Sequence, residues 1–248
     1  MTVKGLILAA LAALALAHPA AASGPCRDLT HDGQSFTLCE VKASEDLRLF
    51  HTSDTGAVLG GFGAVNAQLA TKGKTLGFAM NAGMYHADRS PVGLLTLEGQ
   101  ERARIITSAG PGNFGLLPNG VFCITAGRFL VMESRRFAAK PPKCRFATQS
   151  GPMLVIDGAL HPRFLPKSDS RFIRNGIGVS EDGQTAYLAI SNQPVSFSEF
   201  GRLFRDALKV PNALYFDGKI SRLYAPNLSR SDFGFQMGPI IGLVTDRP

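Results

Sequence analysis

Asp217 closes a short apolar run, Ala213-Leu-Tyr-Phe216, and is followed by Gly218 and Lys219. A carboxylate there can act as a general base or stabilise a developing positive charge; it can also be the aspartate of a tight turn before glycine. Arg174 stands ahead of Asn175-Gly176 and offers a planar, permanently charged fork. Arg171 lies three positions earlier, so on a strand the two point to opposite sides and only one can readily enter a pocket. Neutral donors stand at the ends of other apolar runs: Asn81, Gln149 with Ser150, and Asn192 with Gln193. Such amides and hydroxyls suit sugar hydroxyls or phosphate oxygens. Ser150 also invites a nucleophile reading, an exported serine hydrolase. Gln-Ser-Gly-Pro is no Gly-x-Ser-x-Gly elbow, however, and no ordered histidine and acid accompany it. His86 and His161 fall in loops, where each is an acid, a base, a ligand or a solvated side chain. No Cys-x-x-Cys pair or nearby histidine fits a metal site, and no cofactor is expected.

The elements that must position these groups centre on residues 185–219. Residues 185–191 and 213–216 read as buried strands. Between them Ser196 and Glu199 fit a capping box, Val195 and Phe200 a hydrophobic staple, and Phe197, Phe200, Phe204 and Leu208 share one helical face. Pro211 ends the helix. A connection of that length predicts two parallel strands joined by a right-handed crossover, which would bring Asn192, Gln193, Asp217, Gly218 and Lys219 to one rim. Alternation over residues 34–53 predicts a hairpin, residues 63–71 a helix, 75–80 a strand and 240–245 a last strand. The middle predicts an antiparallel meander over 92–97, 104–107, 115–117, 121–125 and 128–132. Residues 171–179 read as a strand that a Glu181-Asp-Gly183 turn returns. The expected fold is α+β: a strand-dominated mixed sheet with one principal amphipathic helix, in a single domain.

Residues 1–22 carry Lys4, an apolar stretch too short to span a bilayer, and Ala20-Ala-Ala22, the pattern of a secretory signal peptide. Residues 23–248 would form the mature domain, periplasmic or secreted, with no integral membrane segment. In an exported chain the four cysteines predict disulfides, most simply Cys26 with Cys39 and Cys123 with Cys144 among three connectivities. Net charge is +7, and +6 once Lys4 is removed, a mild bias toward anionic partners. Basic residues neither cluster in long runs nor interleave with aromatics, which argues against nucleic acid and for a phosphorylated or acidic glycan.

Five segments follow one another in an order that resembles the phosphodiester glycosidase family: Phe78-Ala-Met-Asn81-Ala-Gly-Met-Tyr85, Asn119-Gly-Val-Phe122, Ala147-Thr-Gln-Ser-Gly-Pro-Met-Leu154, Arg174-Asn-Gly-Ile-Gly178 and Asn212-Ala-Leu-Tyr-Phe-Asp-Gly218. The likeness covers nearly all of the expected mature chain. The chain departs from the best-known branch at Ala82 and Lys219, where that branch has glycine. The resemblance implies a hydrolase that cleaves a sugar from a phosphodiester, here in an envelope or exopolysaccharide glycan. It implies Asp217 as base or charge stabiliser, Arg174 on the phosphate and Asn81 among the catalytic groups. Tyr85, His86, Gln149, Ser150, Gly151, Asn175, Asn192, Gly218 and Lys219 are the expected substrate contacts. One carboxylate suffices in this reading, since a phosphate leaving group is already a weak base. The non-enzymatic alternative is a glycan-binding envelope protein with the same pocket, for which Lys219 is the distinguishing feature.

Overall fold

The computed structural model describes residues 24–247, so the expected signal peptide lies outside the described residues. Three sheets share one core. The first runs, in spatial order, Cys26–His31, Gln34–Lys42, Thr185–Ser191, Asn175–Val179, Asn212–Asp217, Met153–Ile156 and Ala159–Leu160. The second runs Arg230–Ser231, Leu223–Ala225, Lys74–Asn81, Ile240–Asp246 and Asp46–Phe50, and the third Gln100–Ala103, Leu95–Leu97, Phe146–Ser150, Gly120–Ile124 and Phe129–Glu133. Phe78 and Met80 of the second sheet, Phe122 and Phe146 of the third, and Ile177, Leu188 and Phe216 of the first meet in one buried cluster. Burying each such side chain contributes roughly 1.5 to 3 kcal/mol, so the three sheets stabilise one another through this cluster. The α+β, strand-dominated, single-domain expectation holds.

The pairing differs from the expected mixed sheet. Thr185–Ser191 and Asn212–Asp217 do run in the same direction, but Asn175–Val179 lies between them, antiparallel to both. The tight turn at Gly183 (φ 74°) docks Asn175–Val179 onto Thr185–Ser191 first, and that occupies the edge a parallel neighbour would need. The residues 34–53 hairpin is also corrected. Gln34–Lys42 pairs with Cys26–His31, a polar edge strand with no apolar signal, whereas Asp46–Phe50 pairs with Ile240–Asp246. In the middle, residues 104–107 and 115–117 are irregular and Phe146–Ser150 is inserted between Leu95–Leu97 and Gly120–Ile124, so the meander is broken.

The helix begins as its sequence dictates. Ser196 Oγ accepts from Glu199 N and Glu199 accepts from Ser196 N, which completes the capping box. The α-helix spans Phe197–Arg202 and continues as a π-helical turn over Leu203–Ala207, rather than as a uniform helix to Leu208. Phe200 and Phe204 pack edge to face, 5.3 Å apart, over the strand Asn175–Val179. Gly176 and Gly178 make that approach possible, because a Cβ at either would overlap Leu214 O, Phe204 or Val210. Both disulfides form as expected, Cys26–Cys39 across directly paired positions and Cys123–Cys144 out of the third sheet. Among the described residues no helix is long and apolar enough to cross a membrane.

Candidate active site

Asp217 ends the strand Asn212–Asp217 and lies half-buried on the wall of an open cleft of about 540 Å³. Its Oδ1 accepts from Gly218 N at 2.5 Å and Lys219 N at 2.7 Å, so it does form the turn that its position before glycine predicts. Burial raises its pKa above the ordinary aspartate value, against the opposing pull of the Lys219, Gly218 and Ile220 amides and the Lys219 charge. A turn aspartate and a carboxylate short of water are the same residue here. Lys219 is exposed at the mouth.

Tyr215 precedes Asp217 by two positions, lines the same cleft and is almost fully buried. Burial raises its pKa, and the Arg174 charge opposes the rise. Arg174 Nη1 donates to Tyr215 Oη at 3.3 Å, so the phenol's own hydrogen is free to point elsewhere. Gly218 passes against that hydroxyl so closely that any Cβ would overlap it. Sequence reading missed Tyr215, although period-two alternation from Asp217 would have found it. Phe172, two before Arg174, was legible in the same way; Asn113 and Phe114, which close the cleft from a turn, carried no signal.

Arg174 is 1% exposed, and among the described residues no carboxylate stands within ion-pair distance of it. Its charge is held instead by carbonyls, Nε on Val195 O at 2.8 Å and Nη2 on Ser170 O at 2.9 Å, and by aromatic faces. The guanidinium carbon sits 3.7 Å from the Phe197 ring centroid, with Phe172 and Tyr215 at 5.4 and 5.5 Å. Phe197 stacks in turn on Phe164, and Phe164 on His161. His161 is therefore buried packing with a pKa lowered by desolvation, not a loop acid or ligand. Arg171 points to solvent and pairs with Glu199 at 3.0 Å, so of the two only Arg174 turns inward, where it lies behind the cleft wall that Tyr215 and Phe172 form.

Asn81 and Asn175 lie buried beneath the cleft and bind one another. Asn81 Nδ2 donates to Asn175 Oδ1 at 3.1 Å, and Asn175 Nδ2 to Asn81 O at 2.8 Å, joining the second sheet to the first. Asn175 Oδ1 also accepts from Ser221 Oγ, and Asn81 Oδ1 from Arg222 N, so the pair grips the far end of the turn that follows Asp217, which Ser221 Oγ closes onto Asp217 O. Each amide nitrogen spends one of its two hydrogens in this pair, and both side chains are fully buried and form no wall of the cleft, contrary to the contact expected of them. Gln149 is consumed as well: Oε1 accepts from Leu94 N and Ile106 N, and Nε2 donates to Ile106 O and Ser134 Oγ. Ser150 is fully buried with Oγ donating to Phe216 O, and among the described residues no histidine bonds to it, an arrangement unlike that of a nucleophilic serine. Gly151 packs on Asn119 with no room for a side chain.

Tyr85 lines the cleft, its phenol on Gln236 O. Burial and then the Asp217 charge raise its pKa, while Arg89 and Arg222 oppose the rise. His86 is exposed in the adjoining turn and contributes no wall to the cleft. Asn192 does not share Asp217's cleft: it lines a separate one, bonded to Arg230, and Gln193 turns to Gln34 and Ser35. The intervening strand Asn175–Val179 holds the two carboxy-terminal strand ends apart. Among the described residues no group of three or more His, Cys, Asp or Glu could hold a metal.

A family model described as "Phosphodiester glycosidase" matches residues 74–232, which contain Asn81, Gln149, Arg174 and Asp217. The Escherichia coli (strain K12) protein YigE is 32% identical over 218 residues, covering 88% of this chain and 84% of its own. The catalytic domain of zebrafish N-acetylglucosamine-1-phosphodiester alpha-N-acetylglucosaminidase, auto-inhibited by its pro-peptide, superposes with a TM-score of 0.57 at 14% identity, over 88% of this chain and 81% of that one. A putative exported protein from Burkholderia pseudomallei gives 0.55 at 11%, over 85% and 74%. At those identities the two structures speak for the fold alone. The family model covers more than half of the chain and spans both the buried arginine and the cleft carboxylate, and on that ground the chain belongs to the phosphodiester glycosidase family.

Proposed function

We propose that the protein is an exported hydrolase that cleaves a sugar from a sugar 1-phosphodiester in an envelope or exopolysaccharide glycan. The observation that carries this reading is the pairing of unlike groups at one cleft: a carboxylate short of water, Asp217, and behind Tyr215 a buried guanidinium, Arg174, that no acid among the described residues neutralises. Family membership and the two disulfides support the activity class and the export. Water adds to the anomeric carbon while the C–O bond to phosphate breaks, giving a free sugar and a phosphomonoester. Asp217 activates the water or stabilises the positive charge that develops at that carbon, and its raised pKa brings a carboxylate base nearer to neutrality. Arg174, through its bond to Tyr215 Oη, orients the phenol's hydrogen as a donor to a phosphate oxygen. Lys219 at the mouth attracts the anion.

The test is incubation of purified protein with UDP-GlcNAc, simple sugar 1-phosphodiesters and teichoic-acid-like polymers. Release of free sugar with a phosphomonoester supports the reading. Binding without release by the wild type would make the protein a glycan-binding relative, and neither binding nor release would remove both.

A further inference from the structure

We infer that a second cleft, across the segment 217–222 from the first, binds a pyranose ring of the glycan chain that carries the phosphodiester, with Phe233 as its platform. The inference rests on the activity proposed above. The segment is a shared wall: residues 217–220 line the first cleft, while Ser221 and Arg222 line the second with Asn192, Arg230 and Phe233. The second cleft is also about 540 Å³, which exceeds what one ring fills.

Its chemistry is that of sugar recognition. A pyranose presents hydroxyls at its rim and C–H groups on its faces, so it needs fixed polar side chains beside an uncovered aromatic face. Phe233 is 93% exposed and Phe235 79%, apolar surface for which the fold supplies no cover. The loop bearing them is pinned. Arg222 donates from Nε and Nη2 to Asp232 O and from Nη1 to Phe235 O, and Leu223 N donates to Asp232 Oδ2. Arg230 is held flat by Asp232 and by Asn192 Oδ1 at 2.8 Å. Neither guanidinium spends all five of its N–H groups on these acceptors, so donors remain for hydroxyls. An exposed phenylalanine pair can also seek a bilayer, but Phe233 belongs to a cleft whose other walls, apart from Ile173, are polar: serines, Asn192, Asp232 and two arginines. Phe233 lies just beyond the stretch that the family model matches.

The experiment compares, for glucose, galactose, mannose and N-acetylglucosamine, hexose-1-phospho-6-hexose diesters with the corresponding hexose-1-phosphomethyl diesters. Wild type should favour the two-sugar diester in kcat/KM. Phe233→Ala should cut that preference roughly 10-fold, the scale of one aromatic contact, and Phe233→Trp should keep it. An unaltered preference in Phe233→Ala, or none in wild type, overturns the inference and leaves the activity standing. If no diester is hydrolysed, calorimetry of wild type and Phe233→Ala with neutral hexose disaccharides still decides. Binding weakened by the substitution supports the site, and absence of binding refutes it. Phe233-dependent sedimentation with phosphatidylglycerol vesicles, without sugar binding, would mark a membrane contact instead and also refute it.

Discussion

At Asp217 the geometry that makes a turn also keeps a carboxylate from water, so one substitution separates the two roles. Asp217→Asn retains an Oδ1 for the Gly218 and Lys219 amides but cannot take a proton from water or balance a cationic centre. Turnover should fall roughly 10² to 10⁴-fold with the fold intact, measured on whichever diester wild type accepts. Stability carries a sign of its own. The folded-state pKa lies above the unfolded one, so the contribution favouring the native state is fully present below the unfolded value and lost as pH rises through the folded value. Asp217→Asn should therefore raise the melting temperature at about pH 7 and confer no such gain at about pH 3. Arg174→Lys tests the other pole. Lysine keeps the charge but cannot serve Val195 O, Ser170 O and Tyr215 Oη together, so affinity for a phosphodiester should drop while that for a phosphate-free glycoside does not. Equal loss for both ligands would show a packing defect. Asp217 and Arg174 stood out in the sequence because charge is rare at a buried strand end. The occupation of Gln149 and Ser150 by neighbours was not legible, since a buried amide and a free one are the same letter.

Between strand and strand, the cleft depends on how the segment after Asp217 is gripped. The Asn81–Asn175 pair fastens Ser221 and Arg222 from below and joins the second sheet to the first. Asn81→Ala would leave Arg222 N–H without its acceptor and take one of the two donors from Asn175 Oδ1, whose Ser221 bond and whose Nδ2 bond to the residue-81 carbonyl survive; an unsatisfied buried donor costs about 1 to 3 kcal/mol. Chemical denaturation should show that loss, and turnover should fall with it although Asn81 forms no wall of the cleft. The helix and its cap were readable from Ser196, Glu199 and the phenylalanine spacing because those signals are local. Strand partners were not, because pairing is chosen by residues far apart: nothing within 185–219 says that Asn175–Val179 will take the middle place. The two glycines of that strand, Gly176 and Gly178, were the available hint, since they mark a strand that another element crosses closely.

Across the whole molecule, three sheets converge on one core and two disulfides staple its periphery. Replacing Cys123 and Cys144 by alanine frees a loop of 21 residues and should lower unfolding free energy on the order of 3 kcal/mol, seen as a shifted denaturation midpoint of the purified mature protein. The α+β class, both pairings and the family were legible in the sequence because spacing and motif order carry them. The division of the surface around Asp217 into two clefts was not, because it follows from tertiary placement of residues 217–233. The account stands or falls on which bond is broken. Hydrolysis of an accepted sugar 1-phosphodiester in ¹⁸O-enriched water, read by mass spectrometry of both products, decides that directly. The label should enter the hydroxyl at the sugar's anomeric carbon and be absent from the phosphomonoester, with incorporation abolished in Asp217→Asn. Label in the phosphate instead would mean attack at phosphorus, and would contradict a mechanism built on a carboxylate acting at the anomeric centre.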